Sequence, residues 1–289
     1  MKLQPLDLYQ NYYYYDQGVL PNEQRFVPFA LSDAFTLNVG EHQRPYLHFW
    51  QLPNTVILGM KDSRLPELGH ALNFLQEENY HVMFRSSGGL GIVADAGVLN
   101  FSLIIPQPKD HNLEINPAYE IMTAIIQEAF HDYKVTIEAK EIVNSYCPGD
   151  FDLSINDQKF AGIAQRRIKN GISVMIYLSV NGNQHHRSQL MHDFYAKGAA
   201  ERSKHVYPLV EPTAMANLSD LLGDELTVTD VKRRIKDVFT KTLNASLETL
   251  SEEKLASEEF QTTLAPHLKK MAKRNESIFT EIGEQFGAK

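Results

Sequence analysis

Residues 145–167 read SYCPGDFDLSINDQKFAGIAQRR. Two runs that suit strands, 150–155 and 158–164, flank Asn156-Asp157, a pair that suits a two-residue hairpin turn. In that pairing Ile155 opposes Gln158 and Ser154 opposes Lys159, because an antiparallel register fixes every later partner. Lys159 then shares one face with Ser154, Asp152 and Asp150, unless a bulge shifts the parity. Continued backwards, the same face leads to the Pro148-Gly149 bend that carries Cys147, so thiol and ammonium are expected to converge at one end of the hairpin. Cys147 is the only cysteine in 289 residues, which excludes an internal disulfide. Its two remaining roles are a buried small hydrophobe and a nucleophile. The bend and the nearby ammonium favour the second, since a positive charge stabilises the thiolate.

Outward from this hairpin, a β-rich tract is expected from about 135 to 181. Upstream, residues 26–40 read as a helix that Gly40 would end. Residues 45–52 and 55–59 read as a strand pair around Pro53-Asn54. Leucines at 65, 68, 72 and 75 predict an amphipathic helix over 64–79. Residues 81–86 and 98–106 read as two strands joined by a glycine-rich turn, and 117–132 as a helix. Beyond about 205 the texture becomes charged and helical in period, at 227–243 and 258–274. The expected architecture is α/β, a mixed β-sheet flanked by helices, with a catalytic part over 1–205 and a helical extension over 206–289 packed on it. No strand-GxGxxG-helix unit occurs, which disfavours a dinucleotide fold.

Hydrophobic residues make up 43% of the chain, enough for a sizeable core. The formal charge of −8 argues against nucleic acid as a partner, because phosphate-backbone affinity comes from excess Lys and Arg. Local basic groups, Arg166, Arg167 and Lys169, and Lys269, Lys270, Lys273 and Arg274, read more simply as solvated faces than as docking patches. No run approaches the roughly 18 apolar residues of a membrane span, and the start lacks a secretory layout. With no paired cysteines, the expected location is cytoplasmic. His185 and His186 read as part of a polar loop without the Cys, Asp or Glu partners of a metal site. Neither GxSxG nor a Walker A loop is present.

Residues 85–102, RSSGGLGIVADAGVLNFS, place glycines at 88, 89, 91 and 97, so backbone N–H groups can line a tight turn. A hairpin with glycine bulges accounts for the pattern equally well. Arg85 is suited to holding a carboxylate or phosphate, or to pairing with Asp95.

This stretch resembles the first signature of the lipoate–protein ligase and octanoyltransferase family, and DQKFAGIAQRR (157–167) resembles its second, in which a lysine precedes a glycine and then Ala-Gln. The likeness spans roughly residues 30–200. It departs at Ser87-Gly88-Gly89-Leu90-Gly91 and at Ala94-Asp95, where His-Asp is usual. The resemblance implies a biotin protein ligase-like catalytic fold. CPGDFDLSI (147–155) is most similar to the family's amidotransferase branch, which moves an octanoyl group from octanoylated glycine cleavage H protein to the lipoyl domains of E2 subunits. For this chain it implies an acyl-thioester on Cys147, with Lys159 favouring the thiolate. It implies substrate binding by Arg85, Ser87, Gly88, Gly89, Asp95, Asn100, Gly162 and Ala164, with no cofactor and no metal. Apolar residues of 92–101 are expected to line an acyl tunnel. Three alternatives stand beside this one: an acyl carrier protein donor, an ATP-dependent lipoate ligase, and a non-enzymatic lipoyl-domain binding protein.

Overall fold

The computed structural model describes residues 3–108, 112–200 and 206–286. In chain order they form β1 (Asn11–Val19), α1 (Val27–His42), β2 (Tyr46–Gln51), β3 (Thr55–Leu58), α2 (Leu68–Glu77), β4 (His81–Phe84), β5 (Ile92–Ala94), β6 (Val98–Pro106), α3 (Ile115–Ala129) and β7 (Glu138–Ala139). There follow β8 (Leu153–Ile155), β9 (Gln158–Ile168), β10 (Gly171–Ser179), α4 (Gln184–Gly198), α5 (Leu218–Leu222), α6 (Val228–Asp237), β11 (Ser246–Thr249), α7 (Glu252–Ala256) and α8 (Glu258–Phe286). Eight strands make one sheet in the order β11-β1-β2-β6-β10-β9-β8-β7, and β4-β3-β5 make a smaller one. The large sheet is mixed: β1 runs parallel to β2 and β11, whereas β2, β6, β10 and β9 pair antiparallel in turn. This is the α/β class expected from the sequence.

Alternation along β6 decides which layer covers each face. Phe101, Leu103 and Ile105 join the main core with Ile121 and Ile125 of α3 and Val231 and Ile235 of α6. Ile104 faces the other way, onto Phe35 and Val39 of α1 and Phe260 and Leu264 of α8. Between the α1 layer and the sheet, polar Asn100 and Ser102 stay buried, which marks this side as more than a packing surface.

Several local expectations are corrected. The first helix runs through Gly40 to His42 and ends on Gln43, whose φ of 59° is left-handed. At Gly40 the Asn170 backbone comes so close that a Cβ would stand 3.1 Å from its carbonyl carbon. The second begins at Leu68 rather than at 64, since Pro66 disfavours helical backbone at Leu65. The runs over 45–52 and 55–59 are strands but not partners: β2 pairs with β1 and β6, and β3 with β4 and β5. Likewise β4 and β6 lie in different sheets, with β5 between them in sequence. The C-terminal part is not purely helical, because β11 extends the large sheet beside β1. The expected boundary at 205/206 touches residues 201–205, which lie outside the described residues. His185 and His186 open α4 instead of lying in a loop, with the Asn183 side chain capping the His186 N–H at 2.9 Å. Among the described residues no helix is long and apolar enough to cross a membrane.

Candidate active site

The β8–β9 hairpin turns at Asn156 and Asp157, both with positive φ (51° and 62°), as a primed two-residue turn requires. Ile155 pairs with Gln158 and Ser154 with Lys159, the register read from the sequence. One residue further the register slips, so that Leu153 faces Ala161. Beyond this bulge Asp152 turns in to Lys159, Oδ1 standing 3.0 Å from Nζ with the lysine side chain fully buried. The ammonium also donates to Ser145 Oγ (3.2 Å) and to the carbonyls of Tyr146 (2.9 Å) and Cys147 (2.8 Å). Asp152 accepts in addition from the N–H groups of Gly149 (3.1 Å) and Ile142 (3.4 Å). Burial pushes its carboxyl upward, and the ammonium and these amides oppose that shift. Lys159 thus meets Cys147 at its backbone, tying the whole 145–147 loop to a buried ion pair.

So held, Cys147 adopts a φ of 48°, uncommon for a residue with a Cβ. Its Sγ, only partly buried, accepts from the Leu90 N–H at 3.3 Å and lies 3.9 Å from Arg85 Nη2. Arg85 does not pair with Asp95. It is buried and donates to the carbonyls of Ile57 (3.1 Å), Gly88 (2.8 Å) and Leu90 (2.8 Å), bracing the glycine-rich turn from within. Asp95 instead accepts from Arg187 Nε (2.6 Å) and from the Tyr80 hydroxyl (3.1 Å). At Gly89, with φ 87°, a Cβ would stand 2.7 Å from Arg85 Nη2 and 3.2 Å from Cys147 Sγ, so glycine is needed for both conformation and space. At the far end of the turn the Gly91 N–H donates to the Tyr195 hydroxyl (2.9 Å), which donates to Asp62 (3.0 Å); Asp62 also accepts from Gly59 (2.7 Å). Burial raises the Asp62 carboxyl to about 6. Asp62 and Tyr195 carry no local sequence signal, since they act through bonds that span 133 and 104 residues.

Cys147 opens onto a cavity of about 310 Å³ between the turn, α1 and the sheet. Of the residues expected to bind substrate, Arg85, Ser87, Gly88, Gly89, Asn100, Gly162 and Ala164 line it and Asp95 does not; Lys159 lies behind its wall. From the 92–101 stretch, Ile92, Asn100 and Phe101 reach the cavity, while Val93, Ala94, Val98 and Leu99 pack elsewhere in the cores. The floor is a row across four strands, Gly162, Tyr177, Asn100 and Trp50, spanning about 14 Å at the usual strand spacing. Lys159 lies under the Gly162 end, its Cε 3.5 Å from where a Cβ would be. Apolar Phe29, Trp50, Ile57 and Met175 dominate the rest. Polar groups interrupt them, Asn100 and Ser32 among these. Asn100 Nδ2 has no hydrogen-bond partner among the described residues. Ser32 Oγ lies 3.3 Å from His48 Nδ1, and His48 Nε2 lies 2.7 Å from Gln17 Oε1. A glutamine oxygen only accepts, so Nε2 carries the proton and Nδ1 accepts from Ser32. Burial keeps His48 neutral by driving its pKa down to about 3.

A thiol at the mouth of an apolar cavity, faced by the Leu90 N–H, has the arrangement that taking up an acyl chain and attacking its carbonyl require. Residues 24–240 match the lipoyl protein ligase A/B catalytic domain, and the chain belongs to that family. An octanoyl-[GcvH]:protein N-octanoyltransferase from Oceanobacillus iheyensis is 46% identical over 254 residues, covering 86% of this chain and 88% of its own. A lipoyl-[GcvH]:protein N-lipoyltransferase from Listeria monocytogenes is 43% identical over 202 residues, covering 69% and 72%. A bipartite lipoate protein ligase from Thermoplasma acidophilum superposes with a TM-score of 0.65 at 16% identity over 91% of this chain and 93% of its own, a likeness of fold.

Proposed function

We propose that the protein is an N-octanoyltransferase that takes an octanoyl group from the lysine of octanoylated glycine cleavage H protein and passes it to the lipoyl-domain lysine of E2 subunits, through an acyl-thioester on Cys147. The observation that carries this reading is the Cys147 thiol, presented at positive φ to the Leu90 N–H at the cavity mouth. The relatives' names supply the donor. In the first step the thiolate attacks the amide carbonyl; the C–S bond forms, the C–N bond breaks, and the donor lysine leaves as an amine after gaining a proton. In the second step the acceptor's neutral lysine amine attacks the thioester, the new C–N bond forms as the C–S bond breaks, the amine gives up a proton that balances the one gained in the first step, and the thiolate returns.

An amide is more stable than a thioester, so the first half is uphill, but amide is exchanged for amide overall and no ATP is consumed. The oxyanion of each step would be met by backbone N–H groups of the 86–91 turn, with the Arg85 guanidinium close behind. Among the described residues the Lys159 ammonium meets Ser145 Oγ, the Tyr146 and Cys147 carbonyls and Asp152, so its part is to hold the 145–147 loop and place positive charge beneath the thiol. Burying the acyl chain along the Gly162–Trp50 row contributes roughly 0.8 kcal/mol per CH₂. We place the reaction in the cytoplasm, where a lone thiol stays reduced.

The test offers octanoyl-H protein, octanoyl-acyl carrier protein, and octanoate with ATP side by side, and follows octanoyl on a lipoyl domain by mass. Transfer from octanoyl-H protein without ATP is expected; transfer only from octanoate with ATP would refute the proposal. The lipoyltransferase relative makes lipoyl-H protein the next donor to offer.

A further inference from the structure

Arg85 is flanked by two residues that are held from one helix, α8. On one side Asn275, 2% exposed, reads the main chain of Phe84: the Phe84 N–H donates to Oδ1 (2.8 Å), and Nδ2 donates to the Phe84 carbonyl (3.0 Å). β4 is an edge strand of the small sheet, and these two bonds supply what a further strand would have supplied there. Nδ2 also donates to the Met271 carbonyl one turn back (3.0 Å), so the amide is fixed in orientation. On the other side the Ser86 carbonyl accepts from Arg166 Nη1 (3.2 Å). Arg166 Nε stands 2.6 Å from Asp33 Oδ1, and Asp33 Oδ2 lies 3.3 Å from His267 Nδ1 of α8. Met271 of α8 packs into the cluster of Met83, Ile57 and Trp50, and the Ile57 carbonyl of that cluster accepts from Arg85.

A helix that served only to cover apolar surface would have no reason to bury an amide, whose desolvation must be offset by matched hydrogen bonds. Here the amide is spent on the residue before Arg85, and Arg85 sets the carbonyls of Gly88 and Leu90, hence the N–H that faces the thiol. We infer that α8, which lies beyond the matched family domain, completes the active site, and that Asn275 is a positioning residue that holds Arg85 and the 86–91 turn against Cys147. Only the enzymatic readout rests on the acyl-transfer reading.

The test uses the full chain with Asn275→Ala, His267→Ala and, as an α8 control, the exposed Lys273→Ala. Two readouts are taken well below the unfolding midpoint: the rate of Cys147 alkylation by iodoacetamide at one pH, and kcat and KM for acyl transfer. In Asn275→Ala both the alkylation rate and kcat should fall about tenfold with KM little changed, a coupling of ordinary size for a packed network. Lys273→Ala should match wild type. A purely structural role would lower the midpoint and leave the folded protein's alkylation rate alone, so a folded Asn275→Ala with an unchanged or faster rate overturns the inference. Should Asn275→Ala not fold, His267→Ala cuts the second tether alone; slower alkylation supports the inference and a wild-type rate overturns it. If wild type itself transfers nothing, the transfer reading fails while alkylation still decides the role of α8.

Discussion

Replacing Lys159 by Met would strand a carboxylate. Asp152 sits 3.0 Å from the ammonium with its side chain 3% exposed, so methionine leaves a buried acid with only the Gly149 and Ile142 amides for company. Removing one partner of a buried pair costs about 3–5 kcal/mol, much of a total stability of about 5–15 kcal/mol. Asp152→Asn alone leaves the ammonium stranded and should cost a similar amount. In Lys159→Met/Asp152→Asn neither charge remains and asparagine can still accept from the two amides. What is then lost is the set of three bonds to Ser145, Tyr146 and Cys147, about 0.5–1.5 kcal/mol each and so about 1.5–4.5 kcal/mol together, a loss that Lys159→Met alone also suffers. The double variant should therefore be at least as stable as either single one, with a coupling energy above about 2 kcal/mol by urea denaturation at pH 7. Acyl transfer should stay lost, because the 145–147 loop has no anchor. Single effects that simply add, within about 0.5 kcal/mol, would refute the ion pair as the organising element.

The stability of the protein should depend on pH through two buried groups of opposite sign. The Asp62 carboxyl, ordinarily near 3.8, is raised to about 6 by burial, so the unfolded chain deprotonates first and its contribution is lost as pH rises from about 4 to 6. The His48 imidazole, ordinarily near 6.5, is lowered to about 3 by burial, so the unfolded chain protonates first and its contribution is lost as pH falls below about 6.5. Each slope is about 1.4 kcal/mol per pH unit, and between pH 6 and 4 they oppose each other. Relative to wild type, His48→Gln should gain stability and Asp62→Asn should lose it as pH falls through that window in urea titrations; parallel curves would contradict both assignments. Gly89→Ala should cost about 1–3 kcal/mol from its left-handed backbone and slow iodoacetamide alkylation of Cys147, since the new Cβ pushes on Arg85 and Sγ together. A wild-type alkylation rate would show that the turn yields without disturbing the thiol.

The hairpin was the most legible part of the chain because its information is local: Asn156-Asp157 sets the turn and the turn sets Ser154 opposite Lys159. The bulge that follows was not legible, since it arises from Asp152 turning inward to a buried ammonium. Strand propensity located β2, β3, β4 and β6, but propensity says nothing of partners, and β3 joins strands that flank it at a distance in sequence. Of the alternatives open for Arg85, the pairing with Asp95 is not made, and its true partners were not legible because three backbone carbonyls leave no trace in a residue pattern. Asn275 is less visible still. Its two bonds to Phe84 span 191 residues and look, in sequence, like one polar residue on a charged helix.

Transfer through Cys147 requires a covalent acyl group on its thiol, and intact mass reports that group directly. Mixed with octanoylated H protein and no ATP, the wild-type chain should gain one octanoyl increment that hydroxylamine removes and that Cys147→Ala never acquires. A wild-type chain that stays unmodified while octanoate still reaches a lipoyl domain would contradict it.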